Sequence, residues 1–136
     1  IPYRHMENRI LQAVRDAGFD DLTLAQARVF QRIAPGGSRL TDLAEQSQMT
    51  KQSVAGLVDE LERMRYVHRV PDPHDRRARL IQIDKRGRQA ATAAGAAHSQ
   101  IQAEWRSHLG ARRFSQLRDT LEDLREITDP FAVTGE

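Results

Sequence analysis

Apolar residues recur at steps of three and four over much of the chain, and that period predicts helices. Met6, Ile10, Ala13, Val14 and Ala17 make one stripe between Tyr3 and Ala17, which Gly18 ends. A second helix opens at Thr23. Thr23 and Gln26, three residues on, form a capping box, with Leu22 and Ala27 placed for a hydrophobic staple. This helix carries Ala27, Phe30 and Ile33 on one side and stops at Pro35-Gly36-Gly37. Ser38-Arg39-Leu40 reads as a short extended piece. Thr41 or Asp42 then caps a brief helix with Leu43 and Ala44 facing inward, ending near Ser47. After a turn at Gln48-Met49, Thr50 caps a longer helix to about Met64 that buries Val54, Leu57, Val58, Leu61 and Met64. Lys51, Gln52, Ser53, Ala55 and Gly56 occupy its opposite, N-terminal side.

Beyond Met64 the period shortens to that of strands. Val67–Pro71 and Arg79–Ile83 are rich in β-branched residues, and the turn-forming, highly charged stretch Asp72–Ala78 separates them as a long hairpin tip. Two short helices with a tight turn, followed by a hairpin, predict a winged helix-turn-helix. Asp84 caps a long helix to about Leu109, alanine-rich at first and then heavier with Ile101, Trp105 and Leu109. Gly110 breaks it. Phe114, Leu117, Leu121 and Leu124 mark a final helix ending near Thr128-Asp129-Pro130. The expected fold is therefore mainly α with a small β-hairpin wing. Residues 22–84 form the winged helix-turn-helix and residues 1–18 and 85–129 the dimerisation helices of a single domain, 1–136. Apolar stripes on the first and last helices have few elements left in the protomer to cover them, so a homodimer is expected.

At 136 residues the chain suits one domain that needs neither metal nor disulfide to fold. With no cysteine it performs no thiol chemistry and binds no metal through thiolates. No apolar run is long enough to span a membrane, and no charged-then-apolar leader opens the chain, so the cytoplasm is the expected location. Because the first residue is Ile1 rather than Met, further native residues are expected before it. Net charge is only +2, but Arg63–Arg88 holds nine basic residues against three acids, leaving −4 for the remainder. A basic stretch in an otherwise acidic chain favours a phosphate-bearing partner, since each neutralised phosphate releases condensed counterions.

The five histidines, His5, His68, His74, His98 and His108, show no metal-ligand spacing. No nucleophile–base pair or phosphate loop emerges, so neither an enzyme nor a cofactor is expected. The polar front of the helix beginning at Lys51 is suited to base edges. A Gln bonds bidentately to adenine and a Lys reaches guanine, while Thr50 at the helix N-terminus attracts phosphate. Arg76, Arg77 and Arg79 supply the positive charge of the hairpin. The competing reading is a winged-helix module that docks another protein, for which these residues are a solvated surface.

Three stretches resemble the MarR family of winged-helix transcriptional regulators. They are Asp21-Leu22-Thr23 through Phe30, Leu43-Ala44-Glu45 through Met49–Ser53 to Leu57–Glu62, and Asp72-Pro73-His74-Asp75-Arg76-Arg77-Ala78-Arg79-Leu80, the most specific. The resemblance covers nearly the whole chain. It implies a homodimer with interleaved first and last helices that binds double-stranded DNA and represses transcription until a small aromatic or acidic effector relieves it. Arg39, Thr50, Lys51, Gln52, Ser53, Ala55, Gly56, Arg76, Arg77 and Arg79 are then the DNA-contacting set. Arg77 would enter the minor groove, with Asp75 holding its guanidinium. A twofold dimer implies a pseudo-palindromic operator with half-sites about 10 bp apart. Effector contacts are expected from Tyr3, Arg4 and His5 on the first helix and from Trp105. Two positions depart from the family pattern. Arg65 stands where relatives often have Gly, and Gly56 where many place a long polar side chain, which moves base reading toward Gln52 and Lys51.

Overall fold

The computed structural model describes residues 1–129. Eight elements follow one another: α1 (Pro2–Asp16), α2 (Leu24–Phe30), α3 (Leu40–Ser47), α4 (Lys51–Arg63), β1 (Val67–Asp72), β2 (Asp75–Ile83), α5 (Lys85–Leu109) and α6 (Ala111–Thr128). They divide into two compact units, residues 1–96 and residues from 97 onward, with the boundary inside α5. No described helix is long and apolar enough to cross a membrane.

The first unit is built around α4. Val54, Val58 and Leu61 are wholly buried there, together with Val29 of α2 and Leu43 of α3. The capping box at the start of α2 forms as expected: Thr23 Oγ1 accepts from Gln26 N at 3.2 Å, and Gln26 Oε1 accepts from Thr23 N at 3.0 Å. The buried face of α2 is rotated from the expected one. Gln26 and Val29 are the buried residues of the helix, while Ala27 and Phe30 are only half-buried, because α2 ends at Phe30 and a turn carries Ile33 into the core. On α1, Leu11 and Val14 are buried most deeply and Ala17 is exposed.

Two expected boundaries are corrected. Helix α3 begins at Leu40 behind Arg39, so neither Thr41 nor Asp42 caps it, and Arg39 itself makes no side-chain cap. The extended piece shrinks to Ser38, which exchanges two backbone hydrogen bonds with Ile81, at 3.0 and 2.8 Å. The wing has a tight tip instead of a long one, since only Pro73 and His74 lie between the strands. Asp72 drives this closure: its Oδ1 accepts from His74 N at 2.9 Å and so supplies the turn. The strand pairing then steps from Asp72–Asp75 straight to Pro71–Arg79, leaving Arg76, Arg77 and Ala78 as a bulge with no partners on β1.

In the second unit Ile101 of α5 and Phe114 of α6 are buried, and Trp105 and Leu109 are half-buried. The other apolar positions of α6 are exposed: Leu117 by 43%, Leu121 by 57%, Leu124 by 46% and Ile127 by 83%.

Candidate nucleic-acid interface

A recognition helix must present polar side chains on one face while the opposite face holds it rigidly. In α4 the two faces separate cleanly. Val54, Val58 and Leu61 anchor it, while Lys51, Gln52, Ser53 and Gly56 are exposed and Ala55 is half-buried. The helix enters through Gln48 in the left-handed region (φ +53°). Thr50 then caps it by accepting from Ser53 N at 3.1 Å. Thr50 also donates its hydroxyl proton to Ser53 Oγ at 2.8 Å, so the hydroxyl left to donate outward is that of Ser53. Beside Gly56 no atom lies within 4 Å of a Cβ placed there, which leaves the helix surface flat at that point.

The far end of α4 is fixed by two charged groups, Asp21 and Arg86, and a phenol. Arg65 follows the helix with φ +67°, a left-handed conformation that a residue with a Cβ adopts at a cost of about 1 kcal/mol. Tyr66 is completely buried. Its hydroxyl donates to Asp21, and the guanidinium of Arg86 lies over its ring at 4.3 Å. Arg86 Nη1 also donates to Asp21 at 3.0 Å and to the Met64 carbonyl at 2.8 Å, satisfying a carbonyl that the helix end leaves open. Burial pushes the Asp21 carboxyl up, but the hydrogen bonds from Tyr66 and Arg86 outweigh it and hold the group below its ordinary range. Burial and the Asp21 carboxylate together push the Tyr66 phenol well above its ordinary value, so it remains a donor. Helix α5 reaches this cluster because Gly87 has no side chain: a Cβ there would lie 2.2 Å from the Tyr66 carbonyl oxygen.

The basic stretch separates into two kinds of arginine. Some fasten the wing. Arg69 of β1 bridges Asp59 at 2.7 Å and Glu62 at 2.8 Å on α4, and Arg39 donates to Asp72 at 2.6 and 2.8 Å. Arg63 pairs with Glu60 within α4. Arg76, Arg77 and Arg79 are all exposed, and none forms an ion pair among the described residues. Positive charge is thus neutralised where it supports the fold and left free at the bulge.

Three expected site residues stand differently. Arg39 is not a free cation, because it is tied to the root of the wing. Asp75 does not hold the Arg77 guanidinium; its Oδ1 accepts from the Arg77 backbone N at 3.0 Å and shapes the bulge. Tyr3 donates to Glu7 at 3.1 Å, which also takes a two-point contact from Arg28, at 2.8 and 3.0 Å. Arg28 comes first among the groups holding Glu7 below its ordinary range, against the opposing effect of burial. Tyr3, Arg4 and His5 lie exposed in the first turn of α1, in one unit, and Trp105 lies in the other. The residues that position the site, Asp72, Arg69, Asp21, Tyr66, Arg86 and Gly87, were not among the expected ones. A partial signal existed in Asp59 and Glu62, whose spacing of three puts two acids on one helix face within reach of one arginine.

Residues 20–78, from the loop before α2 to the wing bulge, match the MarR family model. The transcriptional regulator Tm0710 of Thermotoga maritima superposes with a TM-score of 0.65 at 29% identity, over 90% of this chain and 85% of that one. Residues 20–78 therefore form a MarR-family winged helix-turn-helix. CouR of Rhodococcus jostii RHA1, solved with p-coumaroyl-CoA bound, superposes with a TM-score of 0.68 at 26% identity, over 93% of this chain and 85% of that one. The transcriptional activatory protein BadR of Rhodopseudomonas palustris is 33% identical over 93 residues, 68% of this chain. The match spans about half of BadR, 52% of its length. MarR members are transcription regulators and not enzymes. The family model covers the helix-turn-helix, β1 and the start of β2 as far as Ala78.

Proposed function

We propose that this protein is a ligand-responsive repressor that binds a pseudo-palindromic operator as a homodimer. The carrying observation is the contrast among arginines. Those near the core are paired with carboxylates, while Arg76 and Arg77 on the bulge, and Arg79 where the ladder resumes, are exposed without acid partners on a wing whose root is tied to α3. Helix α4 offers Lys51, Gln52 and Ser53 to the major groove, with Ala55 and Gly56 allowing close approach. Arg77 enters the adjacent minor groove, where a guanidinium sheds water more readily than an ammonium. Ser53, beside the Thr50 cap, receives a phosphate at the helix N-terminus. Helices α1, α5 and α6 form the dimer, and the exposed apolar ridge of α6 is its contact surface. An organic effector accords with the acyl-thioester bound by CouR.

The test is a salt titration of binding to the DNA flanking the protein's own gene. Binding should fall steeply with salt, by about 0.9 in log–log slope for each phosphate contacted. Arg77→Ala should weaken binding and flatten that slope. A protein-docking winged helix would ignore duplex DNA at every salt concentration, and that result would refute the proposal.

A further inference from the structure

The tip of the wing repeats one arrangement three residues apart. Asp72 Oδ1 accepts from the backbone N of His74 at 2.9 Å, and Asp75 Oδ1 accepts from the backbone N of Arg77 at 3.0 Å. In Asp72-Pro73-His74 and again in Asp75-Arg76-Arg77, a carboxylate fixes the backbone of the third residue and leaves its side chain unpaired. His74 and Arg77 are both exposed, and neither forms an ion pair among the described residues. Pro73, whose ring sets its own φ, stiffens the approach to His74, and Arg39 holds the anchoring Asp72 in turn. The fold has therefore already ordered the backbone of both residues, a cost that contact with a partner need not meet again.

The charged groups of the elements that meet at this tip are Asp72 on β1, Asp75, Arg76 and Arg77 on β2, and Arg39 and Asp42 at the head of α3. Asp72 is occupied by Arg39 and by the His74 N–H, so no carboxylate claims the imidazole. Arginine is a cation at every relevant pH, whereas an imidazole changes charge between pH 5 and 8. A phosphate brought into hydrogen-bond reach favours the protonated ring. His68, at the root of the wing, stands differently: its Nε2 lies 3.2 Å from Gln82 Oε1 and its Nδ1 3.7 Å from Asp84 Oδ2.

We infer that His74 is a proton-linked DNA contact: its imidazole takes up a proton from solvent as the wing docks, donates an N–H to a phosphate oxygen beside the groove that Arg77 enters, and so tightens binding as pH falls. The proton stays on the ring until the complex dissociates, and a dimer takes up as many as two. The inference rests on the DNA-binding reading above and adds to it a residue and a dependence that the arginines alone would not give.

The test is binding of the full chain to the DNA flanking its own gene, followed by fluorescence anisotropy at fixed ionic strength between about pH 6 and about pH 8.5. Wild-type affinity should fall about tenfold across that range. The salt slope should be steeper at the acidic end, by up to about 0.9 for each wing. Calorimetry in two buffers of different ionisation enthalpy should register proton uptake on binding. His74→Gln should flatten the pH profile at the weaker, alkaline level. His74→Lys should flatten it at the tighter, acidic level, a rescue by charge that a merely structural histidine would not show. His68→Gln should keep the wild-type profile. The inference is overturned if wild-type binding is flat in pH or takes up no proton, if His74→Gln leaves the profile unchanged, or if His68→Gln flattens it instead. A protein that binds no duplex at any pH fails the DNA-binding reading itself, whereas DNA binding without pH dependence fails this inference alone.

Discussion

Arg39, the residue before α3, places both Nε and Nη2 on the single Oδ2 of Asp72 at the end of β1, at 2.8 and 2.6 Å. The other oxygen of Asp72 accepts from His74 N and closes the hairpin tip. One nearly buried carboxylate therefore sets both where the wing starts and how it turns. The His74 N–H first, and then Arg39, hold its titration below the ordinary carboxylate range. A lowered folded-state value means that the tether's stabilisation is complete above the unfolded value of about 3.9 and is lost as pH falls through the folded one. Asp72→Asn should weaken operator binding about tenfold at neutral pH while the protein stays folded, as measured by fluorescence anisotropy and circular dichroism. Unchanged affinity would show that the wing finds its place without this tether.

Tyr66→Phe removes the hydroxyl that donates to Asp21 while preserving the buried ring under Arg86. Arg86 still satisfies Asp21, so the loss should be that of one charge-assisted hydrogen bond, about 1.5–3 kcal/mol in chemical denaturation. The native phenol titrates above its unfolded value, so its contribution is complete below about pH 10 and lost as pH rises beyond it. The wild-type protein should lose stability in that alkaline range more steeply than Tyr66→Phe.

Two helical glycines should respond in opposite directions to the same substitution. At Gly87 a Cβ would meet the Tyr66 carbonyl at 2.2 Å and Ile83 Cγ2 at 2.8 Å. Gly87→Ala should therefore destabilise by about 3 kcal/mol or more, since α5 must move off the end of α4. At Gly56 nothing lies within 4 Å, and Gly56→Ala should stabilise by about 0.5–1 kcal/mol through helix propensity alone. Thermal melts of the two variants decide this. If Gly56→Ala also weakens DNA binding, the flat surface at that position is there for the close approach of a base pair.

Much of this arrangement was legible in the residue pattern because local signals governed it. The Thr23–Gln26 capping box, the Thr50 cap and the buried stripe of α4 are each decided within one or two helical turns. The charged hairpin after α4 was visible from its strand-length apolar runs. Its tip was not, because the turn depends on which oxygen of Asp72 takes His74 N and which takes Arg39, 33 residues away. For the same reason Arg39 was expected to face DNA. Charge counting registers a guanidinium but cannot show that a carboxylate distant in sequence already holds it. Gly87 carried no signal, since a glycine in an alanine-rich helix reads as a weak propensity choice until the backbone opposite it is known.

Arg65 offers a direct trade between stability and binding. Its φ of +67° is natural for glycine and strained for arginine. Arg65→Gly should raise stability by about 1 kcal/mol in denaturant titration. If the guanidinium reaches a phosphate, the same variant should reduce the salt slope of operator binding by about 0.9. A gain in stability with no change in slope would show that the strained arginine has no role on DNA.

The ridge of Leu117, Leu121, Leu124 and Ile127 decides whether the proposed dimer is real. Burying a leucine side chain fully is worth about 1.5–3 kcal/mol, so covering this ridge from two protomers supplies enough to hold a stable dimer. A carboxylate placed there would have to be desolvated without a partner, a penalty of several kcal/mol for each charge. The double variant Leu121→Glu, Leu124→Glu should therefore sediment as a monomer while keeping its helical content, since both positions already face solvent in the single protomer. Operator affinity should then fall about a hundredfold or more, because two half-sites are no longer held at a fixed spacing. If the variant still sediments as a dimer, α6 is not the contact between copies, and the placement of paired α4 helices along one operator must be abandoned with it.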